Sequence, residues 1–231
     1  MVTIQILSDR KPMSSWFRNP CFGNTRPMPH SFLPDPARGP AEHDIRDQIV
    51  AAAQTHFSQH GYDKTTVSEL AKAIGISKAY IYKFFASKQA IGEVICSDCL
   101  EEIDREISAA VASTDHPPEQ LRRLFQALVT SSLRLFSEAR NLYEIAAAAA
   151  SDNWPPVVLY EKRVRALIED IVVAGRQRGD FERKTPLDEV CASIYLIIRP
   201  YMHPVILKQS LEQVGSAPGL LSSHILRSLA P

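Results

Sequence analysis

The stretch "GISKAYIYKFFASK", residues 75–88, places four aromatic side chains beside three lysines. If this segment is a short helix, turning Ile81, Phe84 and Phe85 toward a core leaves its other face and its leading end polar. The residues left outside are Lys78, Ala79, Tyr80, Tyr82 and Lys83. Long hydrogen-bond donors beside a small residue suit the base edges and phosphates of a major groove. The segment therefore predicts a recognition helix for duplex DNA.

The residues before this segment complete a helix-turn-helix. The run Thr66–Glu69, "TVSE", matches a capping box, which begins a short helix. Ala71 is small enough to let two helices cross, and Gly75 tolerates the positive φ that the turn needs. Ser77 then serves as the N-cap of the recognition helix.

The rest of the chain carries helical periodicity, and strand-like alternation is nearly absent. We therefore expect an all-α fold of about nine helices. Pro200 and Pro204 must bend or interrupt the eighth, because proline removes a backbone donor and clashes with the preceding turn. The predicted helices cover residues 45–60, 66–73, 77–84, 87–113, 121–136, 141–150, 155 to between 175 and 179, 186–210 and 217–229.

Composition and charge indicate a soluble intracellular protein without a strong overall electrostatic field. The 231 residues are 45% apolar and 23% charged, with a formal net charge of zero. Residues 43–92 are mildly basic and residues 93–231 mildly acidic, which is compatible with nucleic acid as a partner of the first segment. The four scattered cysteines favour a reducing compartment, and no apolar run suggests a membrane span or a signal peptide. The expected location is the cytoplasm.

The first 42 residues differ from the rest of the chain, since they hold seven of the sixteen prolines. Such a segment cannot propagate a helix or a sheet, so we expect a dispensable, disordered extension. Met28, and less favourably Met13, are alternative translation starts. The alternative is an arm that touches DNA phosphates or the minor groove. Its contacts would be made by Arg10, Lys11, Arg18 and Arg26.

The segment "GYDKTTVSELAKAIGISKAYIYKFFASKQAI", residues 61–91, strongly resembles the DNA-binding domain of the tetracycline-repressor (TetR) family of bacterial regulators. The matching features are Gly-Tyr, Thr-Thr-Val, a crossing alanine, Gly-Ile-Ser and an aromatic run that ends in Ser-Lys. Gln89 and Ala86 depart from the usual acid and proline without weakening the match. The resemblance implies a helix-turn-helix domain over residues 43–92 and a helical ligand-binding and dimerisation domain over residues 93–231.

By this resemblance, two sets of residues would contact DNA. Phosphates would be held by Thr65, Thr66, Ser77, Tyr82 and Lys88. Base edges would be contacted by Lys78, Ala79, Tyr80 and Lys83.

The resemblance also implies a homodimer whose last two long helices, about residues 186–210 and 217–229, form a four-helix bundle with their copies. Two-fold symmetry would place the recognition helices in successive major grooves, roughly 34–36 Å apart, on a near-palindromic operator. A small-molecule effector would shift the dimer toward a state that binds the operator weakly, with a coupling of ~1–3 kcal/mol. The hinge is expected at residues 87–92.

Members of the family place an apolar effector cavity in the second domain. The aromatic residues of that segment are the candidates for its lining, although any one of them also suits a plain core. We take Phe125, Tyr143, Trp154 and Tyr195 as the candidate ligand-binding residues.

The pair Cys96 and Cys99 forms a C-x-x-C motif without a second pair of metal ligands, so no zinc site is predicted. Packing is the favoured interpretation, and a thiol sensor is the alternative. No Ser-His-Asp set, phosphate loop or paired carboxylates stand at useful positions, so neither an enzyme nor a cofactor is predicted.

The sequence predicts a ligand-released repressor and leaves three alternatives open. One is a transcriptional activator. Another is a DNA binder that acts mainly through a protein partner. The third is a small-molecule-binding protein or enzyme with a vestigial helix-turn-helix, which would show no salt-dependent DNA binding.

Overall fold

The computed structural model describes residues 40–138, 140–209, 211 and 214–231. Most of the predicted extension, residues 1–39, lies outside the described residues, and so do its four basic residues that were predicted to contact DNA. Residues 40–42 begin the first helix. The chain divides into residues 1–44 and residues 45–231.

The described residues form ten α-helices and no strand, which confirms the all-α prediction. In chain order they are α1 (Pro40–His60), α2 (Val67–Ile74), α3 (Lys78–Ile81), α4 (Lys88–Ala112), α5 (Pro117–Glu138), α6 (Arg140–Ser151), α7 (Pro155–Arg178), α8 (Leu187–Met202), α9 (Pro204–Gln209) and α10 (Ala217–Ser228).

One helix more is present than the approximate count of nine, because the predicted eighth helix is interrupted. His203 adopts an extended conformation with φ −88° and ψ 114°, and Pro204 begins the separate helix α9. Pro200 is accommodated inside α8. The interruption thus follows from Pro204, which cannot donate the backbone hydrogen bond that a continuous helix requires.

The helix-turn-helix forms through the predicted local signals. Thr66 and Glu69 make the reciprocal capping box of α2, and Gly75 ends that helix with φ 80°. Ser77 caps α3 through a hydrogen bond from the backbone N–H of Tyr80. The regular part of α3 ends at Ile81 rather than at Phe84, because the backbone N–H groups of residues 83 and 84 bond to carbonyls three residues back, in a tighter turn.

Two large apolar clusters support these helices. The first joins α1, α2, α3 and the start of α4 to parts of α6 and to Trp154. The second is built from α4, α5, α7, α8 and α10. Helix α4 contributes to both clusters, so it is physically shared between the helix-turn-helix and the following helices.

Candidate nucleic-acid interface and small-molecule cavity

Helix α3 is anchored on one side and open on the other. Ile81 is completely buried and Phe85 nearly so, and both belong to the cluster formed with α1 and α2. Lys78, Ala79 and Lys83 are exposed on the opposite side. This arrangement leaves long side chains on the solvent face of a helix whose backbone is fixed by packing.

The aromatic rings of this surface lie close to its lysines. The Lys78 Nζ atom is 5.8 Å from the ring centre of Tyr82, and the Lys83 Nζ atom is 5.4 Å from that of Tyr80. Tyr82 is 45% exposed. Tyr80 is half-buried, with its ring edge-to-face against Phe84 at 5.4 Å. We call Lys78, Ala79, Tyr80, Tyr82 and Lys83 the α3 surface, a basic and aromatic patch of a kind that suits DNA.

Two of the predicted phosphate-contacting residues, Thr66 and Ser77, are exposed at the starts of α2 and α3. Both side chains already act as helix caps. The Thr66 N–H and hydroxyl donate to Glu69 at 2.7 and 2.9 Å, and these bonds lower the pKa of that carboxyl group. A phosphate approaching Thr66 would therefore meet a negative charge beside it.

Thr65 and Lys88 are engaged within the protein. Thr65 is buried, and its hydroxyl donates to the Gly61 carbonyl at 2.8 Å. The Lys88 Nζ atom donates to the Tyr62 carbonyl at 2.9 Å and lies 4.3 Å from the centre of the Tyr62 ring. Phosphate contact by these two residues stays a prediction, and it requires each side chain to share or leave these partners.

Tyr62 lies at the centre of a junction between the helix-turn-helix and the later helices. Its backbone N–H donates to the Glu144 carboxylate at 3.2 Å, and its ring packs edge-to-face on Trp154 at 5.7 Å. Gly92 faces both rings so closely that an added Cβ atom would lie 3.0 Å from Trp154 and 3.1 Å from Tyr62. Burial raises the pKa of Tyr62 to about 12. We call Tyr62, Lys88, Gly92, Glu144 and Trp154 the Tyr62 junction.

A mostly apolar cavity lies among α4, α5, α6, α7, α8 and α9. Its volume is about 50 Å³. This exceeds the roughly 10–15 Å³ that a single water needs. Its walls are Cys96, Leu100, Ile103, Ser132, Leu135, Tyr143, Ala146, Ala150, Val157, Tyr160, Glu161, Met202, His203, Pro204 and Leu207.

Of the four predicted ligand-binding residues, only Tyr143 lines this cavity. Phe125 and Tyr195 are buried in the core of α4, α5, α7, α8 and α10, and Trp154 belongs to the Tyr62 junction. Arg165 covers the Tyr195 ring, with its guanidinium carbon 3.4 Å from the ring centre. Aromatic content alone did not distinguish a cavity wall from a core.

The polar groups of the cavity include two that sequence reasoning did not select, Glu161 and His203. Neither residue carried a local signal, because Glu161 precedes Lys162 and Arg163 in α7 and His203 lies in the break between α8 and α9. A Glu161 carboxylate oxygen is 3.9 Å from the Arg199 Nε atom. The His203 Nδ1 atom is buried and forms no hydrogen bond with another residue of the described ranges. Burial and the charge of Arg199 lower the pKa of His203. The Tyr143 hydroxyl donates to the Pro204 carbonyl at 3.0 Å.

Helix α6 separates the cavity from the core of the helix-turn-helix. Tyr143, Ala146 and Ala150, spaced by three and four residues, face the cavity. Ile145 and Ala149 are buried on the neighbouring face, in the cluster that also holds α1, α2 and α3. One short helix thus contacts both regions.

The C-x-x-C motif lies on the inner side of α4. Burial raises the pKa of the Cys96 thiol to about 12 and that of Cys99 to about 11. Both thiols are therefore protonated at neutral pH and are poor nucleophiles. This favours the packing interpretation over the thiol sensor. Within the described ranges, no three His, Cys, Asp or Glu side chains are gathered as a metal site, and no helix is long and apolar enough to span a bilayer.

Two family models match the chain. The model described as "Bacterial regulatory proteins, tetR family" covers residues 49–94, and "Tetracyclin repressor-like, C-terminal domain" covers residues 117–215. The chain belongs to the TetR family. The two matched regions contain the α3 surface and most of the cavity wall, so both sites lie in the parts that this family shares.

Two curated relatives match part of the chain. The HTH-type transcriptional regulator HbdR of Aromatoleum sp. (strain CIB) is 33% identical over 76 residues, which are 33% of each chain. The negative transcriptional regulator IcaR of the icaADBC biofilm operon in Staphylococcus aureus (strain Newman) is 38% identical over 60 residues, 26% of this chain and 32% of that protein. The chain thus spans about a third of the length of these relatives.

The fold is similar to that of the transcriptional regulator FadR from Bacillus subtilis, solved in complex with stearoyl-CoA. The TM-score is 0.58 at 17% sequence identity, and the match covers 78% of this chain and 97% of that one. At this identity the likeness shows the fold alone.

Proposed function

We propose that the protein is a homodimeric, sequence-specific DNA-binding regulator of transcription, a repressor that a small molecule releases from its operator. The observation that carries the proposal is the α3 surface: lysine and tyrosine side chains stand outward from a helix whose opposite side is buried. The names of HbdR and IcaR, which describe transcriptional regulators, support the same function for this TetR-family chain.

On DNA, the α3 surface would enter a major groove. Ala79 allows close approach, and Lys78, Tyr80 and Lys83 carry donors long enough for base edges. Tyr82, more exposed than Tyr80, suits a phosphate beside the groove. Base contacts set sequence preference and phosphate contacts set general affinity, so substitutions in the two groups have different consequences.

A dimer would present two such surfaces to a near-palindromic operator. Leu196 on α8 and Leu220 on α10 are 64% and 67% exposed. These leucines lie in the two segments expected to form a four-helix bundle with the second copy. Burying exposed leucines between copies removes apolar surface from water, which favours association.

Release by an effector would follow from the position of α6. A molecule that fills the cavity pushes on Tyr143, Ala146 and Ala150, and the same helix holds Glu144 against the backbone of Tyr62. Lys88 and Gly92, at the proposed hinge in α4, also contact Tyr62. A shift of α6 would therefore alter the angle between α4 and the helix-turn-helix, and an effector that binds the altered state better lowers operator affinity.

The test uses the full chain and an operator selected from random duplexes, with binding measured by fluorescence anisotropy. Tyr82→Phe keeps the ring and removes the hydroxyl, so we expect weaker binding to every duplex. Lys78→Ala should cost about 1–3 kcal/mol on the operator and blur sequence preference. Lys162→Ala, which removes an exposed lysine of α7, is the control and should leave binding unchanged.

The salt dependence of the DNA-binding constant is the second measurement. Each phosphate contact should add about 0.9 to the steepness with which log K falls against log salt concentration. Binding of wild-type strength by the Lys78→Ala and Tyr82→Phe variants would refute the assigned contacts. A salt-independent affinity would refute DNA binding altogether.

A further inference from the structure

The cavity differs from an anion-binding site in the charges of its walls. Of its lining residues, Glu161 carries a carboxylate, and within the described chain no lysine or arginine lines it. Arg199 approaches Glu161 from outside the lining, with 3.9 Å between Nε and Oε1. An anionic group in this apolar space would meet the Glu161 charge without a cation of its own, which is costly in a region of low dielectric.

His203 does not supply the missing positive charge. Burial and the Arg199 guanidinium lower its pKa, so its imidazole is neutral at neutral pH. Its Nδ1 atom is buried and forms no hydrogen bond with any other residue that the structure describes. Buried polar atoms normally have a partner, so this nitrogen is available to a bound molecule.

Besides the hydroxyl groups of Ser132 and Tyr160, three polar side chains of the lining define what a ligand must offer. The Tyr143 hydroxyl hydrogen is directed to the Pro204 carbonyl. Glu161 only accepts hydrogen bonds, whereas neutral His203 accepts or donates at Nδ1 according to its tautomer. A hydroxyl group both donates and accepts, so it satisfies either state of the imidazole beside the carboxylate. A cationic group on the ligand is not required, because the Arg199 guanidinium, 3.9 Å from the Glu161 carboxylate, already compensates part of its charge.

We propose that the effector is an uncharged, mainly apolar molecule whose hydroxyl group binds Glu161 and His203. This inference rests on the proposed function only in calling the molecule an effector. Binding itself is measured without DNA, so the two fail separately. The mostly apolar walls contact the body of the molecule, while Glu161 and His203, among the polar residues of the lining, determine its orientation and class.

The experiment titrates the full chain by calorimetry with two matched sets of probes. One set is 4-ethylphenol, ethylbenzene, 4-ethylbenzoate and 4-ethylbenzylamine, and the other is heptanol, heptane, heptanoate and heptylamine. We expect the hydroxyl compound of at least one set to bind tenfold or more tightly than its three analogues. The inference is overturned if no hydroxyl compound binds better than its hydrocarbon, or if the carboxylate or the amine binds best.

Variants locate the site. Glu161→Leu and His203→Phe should each reduce the preference for the hydroxyl compound over its hydrocarbon toward one. Glu161→Gln, which preserves shape, provides the same comparison if the larger changes disturb folding, and it should weaken the preference without abolishing apolar binding. Glu169→Leu, an exposed position of α7 outside the cavity, is the control and should keep the wild-type preference. An unchanged preference in all three cavity variants overturns the assignment.

Operator affinity is measured in parallel, without any probe. If the chain binds its operator normally but shows no preference for hydroxyl compounds, the proposed ligand class is wrong and the proposed function as a DNA-binding regulator still stands. If the chain prefers the hydroxyl compound but does not bind an operator, the proposed ligand class stands and the proposed function is contradicted.

Discussion

The Lys88 side chain contacts Tyr62 within the protein and is also a candidate for phosphate contact. Its ammonium group donates to the Tyr62 carbonyl at 2.9 Å and lies over the Tyr62 ring, while the family resemblance also assigns it to a phosphate. A charged hydrogen bond and a cation–π contact at a partly buried position stabilise the junction between α4 and the helix-turn-helix. Any DNA contact by Lys88 is therefore linked to the stability of that junction.

We expect Lys88→Met to lower the free energy of unfolding by about 1–2 kcal/mol, measured by urea denaturation. Lys83→Met, whose lysine is exposed on the α3 surface, should change that free energy by less than about 0.5 kcal/mol. If Lys88→Met weakened operator binding while stability stayed unchanged, the ammonium group would act on phosphate alone.

At the scale of the element, α6 is the part best placed to link cavity and DNA surface. Its residues 143, 146 and 150 face the cavity, and Glu144 holds the Tyr62 N–H. A substitution that fills the cavity from α6 should therefore imitate an effector, without the effector being known.

We expect Ala146→Leu to lower operator affinity at least fivefold, the lower range of typical coupling energies of ~1–3 kcal/mol. Ala147→Leu adds the same atoms to the same helix at a position outside the cavity lining and should leave affinity near that of the wild type. Anisotropy with the selected operator measures both. Equal affinities for the two variants would contradict transmission through α6.

At the scale of the whole molecule, substitutions at the two exposed leucines on α8 and α10 test whether the chain forms the expected dimer. We expect Leu196→Arg and Leu220→Arg each to raise the dimer dissociation constant at least tenfold in sedimentation experiments, because an arginine placed in an apolar interface loses its hydration. Val158→Arg changes an apolar residue of α7 that is 53% exposed and lies outside the two expected dimer segments. If Val158→Arg dissociated the dimer and the two leucine variants did not, the dimer interface would lie outside α8 and α10.

The sequence predicted the helix-turn-helix well because its signals are local. The capping box at Thr66, the left-handed Gly75 and the Ser77 cap act within a few residues of themselves. The exposed face of α3 followed from the burial of Ile81 and Phe85.

The cavity was poorly predicted because it depends on residues distant in sequence. Trp154 and Tyr195 suit a cavity as well as a core, and only the packing of six helices separates them from Tyr143. The partners of Lys88 and Glu144 at Tyr62 depend in the same way on tertiary contacts.

The central claim is that the α3 surface determines DNA sequence preference, and selection from a pool of random duplexes tests it most directly. The wild-type chain, without effector and at low salt, should enrich one near-palindromic motif, and Lys78→Ala should relax the bases that Lys78 contacts while leaving the rest of the motif unchanged. Enrichment of no motif by the wild-type chain, or of an identical motif by variants altered at Lys78, Tyr80 and Lys83, would contradict the account.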